Sequence, residues 1–355
     1  MVNLVHVAKK QLVQRLAKMA GLRQRAVDVD DAGTVISIWV PKDKLPAGPT
    51  AEEMETERRK KETKRNGGRL SVVLLHGFAG DGILTWVLQV VALARHYDVY
   101  VPDLLFFGGS VSPAGADQTP GFQAECVASA LRRLGVERCV AVGFSYGGFV
   151  AFKMAEADPA LVVSVVATGS LVYMTRSTSE AMLRRLGAAS FAEFLLPNDV
   201  AGLKSLFAAG TYRKWWLPDR VLSDYMKLMI FNRKERTQLL EGLVVSDEDA
   251  AVVVRSYRQW PRFLTLPVRI AGDTLALGRQ RQHLQHGACE KPQRAARREG
   301  DAAKHSKGGP LGDAGAAARL QRLSQRVPVA AVTLMHHHDD GRGAAYAQAC
   351  YLAKI

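Results

Sequence analysis

The feature that most constrains this chain is an apolar strand that breaks into a glycine-flanked turn and at once becomes a helix. Cys139-Val140-Ala141-Val142 runs into Gly143-Phe144-Ser145-Tyr146-Gly147-Gly148, and Phe149-Val150-Ala151-Phe152-Lys153-Met154-Ala155 follows with helical character. In a sharp strand-to-helix turn a side chain at either flanking glycine, Gly143 or Gly147, would collide with the backbone. Such a turn lifts the Ser145 hydroxyl clear of the sheet and aims a helix N-terminus at any negative charge that develops beside it. A Gly-x-Ser-x-Gly motif alone is weak. Framed by a strand and a helix, it marks Ser145 as a candidate nucleophile, the alternative being a structural glycine-rich turn.

Other apolar runs place this turn in a parallel sheet. Leu70-Ser71-Val72-Val73-Leu74-Leu75 is of the kind buried on both faces. Val99-Tyr100-Val101-Pro102 and Val162-Val163-Ser164-Val165-Val166-Ala167 supply two more strands, and Thr34 to Val40 another that ends at Pro41. Helical patterns around 84–95, 119–134 and 148–157 alternate with them, which predicts a mostly parallel, doubly wound α/β fold. From about 175 to 245 the pattern is helical, with large apolar groups such as Phe194, Trp215, Trp216, Met226 and Phe231. That block is expected to be a cap inserted over the active edge of the sheet.

The ends differ from this core. Residues 1–45 are expected to hold an amphipathic helix, with Leu4, Val7, Ala8, Leu12, Leu16 and Met19 at helical spacing among Lys9, Lys10, Arg15 and Lys18, followed by the first strand. The helix either packs on its own domain or lies on an anionic membrane surface. Residues 46–69, with the run Glu57-Arg58-Arg59-Lys60-Lys61-Glu62, are expected to be a solvated loop between two strands. Residues 70–270 form the expected core with its cap, and 271–355 a polar tail of low order.

The net charge of +14 invites a nucleic-acid reading, and its location argues against one. Residues 1–70 carry 15 basic and 9 acidic side chains, and 271–355 carry 13 and 7, whereas 71–270 are almost balanced at 20 and 18. No groove-reading or aromatic-basic motif accompanies the surplus, so no nucleic-acid partner is expected. Cys126, Cys139, Cys289 and Cys350 have no paired spacing, which fits reduced thiols and not a disulfide framework or metal site. Neither a secretory leader nor a membrane-spanning run is visible, so an intracellular, cytoplasmic location is expected, with peripheral membrane contact through residues 3–20 left open.

The strand at 72–75 ends in His76-Gly77-Phe78-Ala79-Gly80, and here the chain resembles the α/β-hydrolase superfamily. Val101-Pro102-Asp103-Leu104-Leu105-Phe106-Phe107-Gly108-Gly109-Ser110 resembles that family's Pro-Asp-x-x-x-x-Gly-x-Ser loop, in which Asp103 would be structural. The resemblance covers about residues 1–265. It is nearest to a plant-type group of capped esterase- or lipase-like members, by Asp81-Gly82-Ile83-Leu84-Thr85-Trp86, Phe122-Gln123-Ala124-Glu125-Cys126 and Arg233-Lys234-Glu235-Arg236. It implies that His76-Gly77 shapes an oxyanion loop and that the backbone N–H groups of Phe78 and Tyr146 stabilise a tetrahedral oxyanion, each worth roughly 3–4 kcal/mol of barrier. It further implies a serine hydrolase acting on an apolar acyl ester, with carbon–carbon hydrolysis as a relative of the same chemistry. Neither cofactor nor metal is called for, and oligomeric state is not encoded in any motif.

Two expected motifs are missing. In the family an acid follows a late strand in a segment such as Trp-Gly-Asp-x-Asp, and the base sits in Gly-His near the end. Here Asp273, after Val268-Arg269-Ile270-Ala271-Gly272, is the only acid at a plausible late strand end. His283, His286, His305, His336, His337 and His338 lie in no Gly-His context, and the triple histidine reads as an incidental polar tract. Moving the codons forward by one base lets Leu277-Gly278-Arg279-Gln280-Arg281-Gln282-His283-Leu284 read Trp-Gly-Asp-Asn-Asp-Asn-Ile-Phe, and Lys307-Gly308-Gly309-Pro310-Leu311 read Lys-Ala-Gly-His-Leu. Both motifs return in one frame and in family order, so a frame slip near residue 270 is the expected origin of the tail. The rival expectation is a non-catalytic ligand-binding module on the same fold.

Overall fold

The computed structural model describes residues 2–44, 69–113, 115–210 and 216–248, and the backbone of 263–266, 268–270 and 273–275. The inserted loop expected at 46–69 therefore falls, except for Arg69, outside the described residues. The tail beyond 275, with its six histidines, also lies outside them.

In chain order the described elements begin with α1 (Leu4–Ala8), a π-helical stretch (Lys9–Val13) and α2 (Gln14–Met19). There follow β1 (Leu22–Asp28), β2 (Val35–Pro41), β3 (Ser71–Leu75), α3 (Gly82–Leu93), β4 (Asp98–Pro102), α4 (Pro120–Arg133), β5 (Cys139–Phe144), α5 (Tyr146–Ala157) and β6 (Val162–Thr168). The cap region comprises β7 (Met174–Thr175), α6 (Arg176–Leu186), α7 (Phe191–Leu195), α8 (Val200–Gly210), α9 (Asp219–Met229), α10 (Arg233–Glu241) and β8 (Val244–Val245). Last come β9 (Phe263–Leu266), β10 (Val268–Ile270) and β11 (Asp273–Leu275).

Seven strands form one sheet in the order β1-β2-β4-β3-β5-β6-β9. β1 pairs antiparallel with β2 and β2 antiparallel with β4, and every later pairing is parallel. Alternation along β3 explains why the sheet is covered on both sides. Val73 and Leu75 join the larger core cluster with α4 and α5, while Val72 and Leu74 join a second cluster with α2 and α3. Helix starts are marked by short polar side chains: Asp81 accepts from the Leu84 N–H at 2.9 Å, and Thr119, ahead of Pro120, accepts from the Phe122 N–H at 3.2 Å.

The cap is a closed excursion from the sheet. Its two ends are zipped in parallel by Met174 opposite Val244 and Thr175 opposite Val245, and the Ser177 hydroxyl donates to Asp247 at 2.6 Å. The N-terminal helical stretch packs on the molecule through Val13, Leu16 and Ala17 and is tied to α9 by the Leu4 N–H donating to Asp224 at 2.9 Å. The side chains expected to form its packed stripe are only partly those. Leu4, Val7, Leu12 and Met19 face solvent, because the π-helical stretch shifts the angular register that a regular helix would keep. Among the described residues no helix is long and apolar enough to cross a membrane.

Candidate active site

The chain arrives at Ser145 from β5 and leaves it as α5, and the turn between them is strained. Ser145 adopts φ 52° and ψ −120°, a region that side chains rarely enter. Its N–H donates to the Thr168 carbonyl at 2.9 Å and its carbonyl accepts from the Gly148 N–H at 2.9 Å. A Cβ at Gly143 would lie 2.5 Å from the Gly148 Cα, and one at Gly147 would lie 2.6 Å from the His76 carbonyl oxygen. Both flanking positions therefore exclude any larger residue. Ser145 remains partly exposed at the C-terminal edge of the parallel strands, whereas Tyr146 behind it is buried.

The loop after β3 closes on this turn. A Cβ at Gly77 would lie 3.2 Å from the Ser145 Cβ and 2.9 Å from the Phe144 ring, so only glycine lets the loop run this near the serine. Phe78 follows, buried, with its ring edge-on to Tyr146 at 5.6 Å and to Phe107 at 5.2 Å. Tyr146 opens α5, where helix geometry leaves first-turn N–H groups without an intrahelical acceptor. The two residues proposed as oxyanion donors thus lie side by side.

His76 is fully buried and has both ring nitrogens engaged. Nδ1 bonds the Gly77 carbonyl at 2.7 Å, and Nε2 accepts from the Leu104 N–H at 2.9 Å. Accepting at Nε2 requires the neutral ring, and burial pulls its pKa down to about 4. The ring joins the loop after β3 to the loop after β4. Asp103 joins the same loop to α3: its carboxylate accepts from Gly82 N–H at 2.9 Å and Gly109 N–H at 3.0 Å, and its own carbonyl accepts from the Ser110 hydroxyl at 2.7 Å. Burial, with the charge of Asp81 adding to it, pushes Asp103 up to about 7. Asp81 in turn is paired with Lys9 of the N-terminal helical stretch.

Asp273 opens β11, opposite Ile270 in the two-stranded β10–β11 ladder, apart from the seven-stranded sheet. Only its backbone is described. The described histidines besides His76 are His6, in α1, and His96, which precedes β4 at the far end of the sheet from Ser145. None is hydrogen-bonded to the Ser145 hydroxyl.

Residues 71–197 match the family model described as the alpha/beta hydrolase fold. The chain has the α/β-hydrolase fold. Among solved structures it is similar to 2-hydroxy-6-oxo-6-phenylhexa-2,4-dienoate hydrolase from Rhodococcus sp. strain RHA1, at 17% identity and a TM-score of 0.53, covering 70% of this chain and 83% of that one. Among curated proteins it is 37% identical over 102 residues to the dihydrolipoyllysine-residue acetyltransferase component of the acetoin cleaving system of Cupriavidus necator, covering 29% of this chain and 27% of that protein. It is 33% identical over 107 residues to pimeloyl-[acyl-carrier protein] methyl ester esterase of Aeromonas salmonicida, covering 30% of this chain and 40% of that protein. The chain spans only 27% and 40% of the length of these two curated relatives.

Within the α/β-hydrolase fold, several residues around the site had no role readable in the sequence. Arg236, Asn232 and Tyr225 reach from the cap to the loops beside Ser145. Tyr225 donates to the Ala79 carbonyl, and Asn232 donates to the Phe106 carbonyl at 3.3 Å. The segment Arg233 to Arg236 stood out only as a shared motif, since the carbonyls it serves lie far off in sequence.

Proposed function

We propose that this chain derives from a serine hydrolase of esterase or lipase type that cleaves an apolar acyl ester. The single observation that carries the reading is the strained Ser145, held at positive φ between glycines that tolerate no side chain and beside an oxyanion loop within reach of its Cβ. Ser145 attacks the carbonyl carbon, and the N–H groups of Phe78 and Tyr146 stabilise the resulting oxyanion. Collapse of the intermediate expels the alcohol and leaves an acyl-serine, which water then hydrolyses. A base must take the serine proton and return it to the leaving alcohol. His76 is unsuited to that task, because both its nitrogens are engaged and its burial disfavours the charged form.

The base and its orienting acid are assigned to the segment after about residue 270 in the frame shifted forward by one base, where Gly-His and Trp-Gly-Asp-x-Asp return. The partial match to a methyl ester esterase supports hydrolysis as the reaction class and an ester as the substrate. Sequencing the transcript across codons 260–355 tests the frame. A fluorophosphonate probe then tests the serine: labelling that vanishes in Ser145→Ala supports the enzyme.

A second reading is favoured by the sequence as written, in which neither Gly-His nor Trp-Gly-Asp-x-Asp follows residue 270. In the printed frame, the chain would be a non-catalytic ligand-binding protein whose cap forms the pocket. A folded sample that binds apolar esters without cleaving them or accepting the probe would establish it.

A further inference from the structure

Arg236 is a cation in an unusual place. It is 1% exposed, and among the described residues no carboxylate forms an ion pair with it. A buried guanidinium needs its donors and its charge accommodated in some other way. Its Nε donates to the Phe106 carbonyl at 3.0 Å and its Nη1 to the Met229 carbonyl. Its flat faces are covered by two aromatic rings, with Cζ 4.0 Å from the centroid of Phe107 and 4.4 Å from that of Phe231. Burial lowers its pKa to about 9, which leaves it charged at neutral pH.

What Arg236 holds leads towards the nucleophile. The Phe106 carbonyl belongs to a residue at φ 70°, a strained conformation that persists only where its surroundings fix it. The next ring, Phe107, stands edge-on to His76 at 5.1 Å and to Phe78 at 5.2 Å, and Phe78 stands edge-on to Tyr146 at 5.6 Å. One continuous stack therefore runs from a cap cation to the side chains of both residues whose backbone N–H groups are the assigned oxyanion donors. Packed aromatic rings have few alternative arrangements, so fixing Phe107 restricts Phe78 and Tyr146 as well.

We propose that Arg236 is a positioning residue: from the cap it fixes Phe106 and Phe107, and through Phe107 it sets the oxyanion-loop backbone at Phe78 against the start of α5 at Tyr146. The proposal rests on the assignment of those two amides as oxyanion donors. It makes the cap part of the catalytic geometry as well as a cover for substrate.

The test compares the full-length wild type with Arg236→Met, Arg236→Lys and the control Arg233→Met. Arg233 bonds the carbonyls of Leu196 and Pro197 within the cap and touches no ring of the stack. Amide hydrogen exchange under native conditions should rise at least about tenfold at residues 76–80 in Arg236→Met, less in Arg236→Lys, and not in Arg233→Met. With a fluorophosphonate probe, Arg236→Met should lower the maximal labelling rate about tenfold and leave the half-saturating probe concentration unchanged.

Unchanged exchange at 76–80 in a folded Arg236→Met protein overturns the proposal, as does an even rise across the whole molecule. If that variant does not fold, Phe107→Leu takes its place, since it removes the ring and leaves the guanidinium its two carbonyls. The same local rise is expected, and its absence again overturns the proposal. A wild type with its tail read one base forward that never labels overturns the reading of Ser145 instead, and the exchange data tell the two failures apart.

Discussion

The two glycines that flank Ser145 are hemmed in by backbone, the carbonyl of His76 against Gly147 and the Gly148 Cα against Gly143, and the Thr168 carbonyl accepts from the serine's own N–H. The cap meets the same loops through long side chains, with Tyr225 on Ala79, Asn232 on Phe106, and Arg236 on both Phe106 and the Phe107 ring. A backbone contact tolerates no added atom, whereas a side-chain contact can be weakened in steps. The Ser145 turn is thus fixed all or none, and the attachment of the cap can be graded.

The largest effect expected from that contrast is at the turn. Gly147→Ala forces a Cβ against the carbonyls that end β3, and a loss of about 3–4 kcal/mol is expected by urea denaturation. A loss under 1 kcal/mol would mean that the turn yields as the cap does.

Next in size is a pH effect, because the buried groups His76 and Asp103 have pKa values shifted in opposite directions. His76 has a folded pKa of about 4 against 6.5 unfolded, so the unfolded state binds more protons between those values and stability falls as pH drops through that window. Asp103 is raised to about 7, so the folded state takes up its proton first and stability rises as pH drops from 7 towards the unfolded carboxylate range. The two slopes oppose each other in the wild type. Asp103→Asn should uncover the histidine's share, a loss of about 3 kcal/mol between pH 6.5 and pH 4 measured against its own value at neutral pH. A variant whose profile parallels the wild type would show that Asp103 carries no such compensation.

Relief of strain is smaller. Ser145→Gly should raise stability by about 1 kcal/mol, since glycine reaches positive φ freely, while it abolishes probe labelling. An unchanged or lower stability would remove the argument for strain. On the cap side, Asn232 sits at φ 50° and gives one hydrogen bond. Asn232→Gly keeps the backbone and should stay within about 1 kcal/mol of the wild type, and Asn232→Val should cost more by roughly a further 1 kcal/mol. Equal effects of the two would place the cost in the lost hydrogen bond alone.

The same contrast explains what the sequence made legible. The turn, the strands β2 to β6 and the helices between them are written in contiguous residues, through β-branched runs and Gly-x-Ser-x-Gly, and these were readable. β1 was not, because Arg23, Gln24 and Arg25 on its exposed edge carry no apolar alternation. The parallel β7–β8 pair is two residues long and leaves no periodic trace. The N-terminal helical pattern was readable, but not the π-helical stretch that turns Leu4, Val7 and Leu12 outward. The work of Arg236 was hidden for a different reason. A cation in a polar-looking helix signals solvent, and only the distant Phe106 and Phe107 make it an interior residue.

The measurement that tests the account most directly is fluorophosphonate labelling, with the adduct located by mass spectrometry, on the printed chain and on the chain whose tail is read one base forward. The account predicts an adduct on Ser145 in the one-base-forward protein, at a rate far above that of the printed chain and absent in Ser145→Ala. A folded one-base-forward protein that carries no adduct on Ser145 would contradict it.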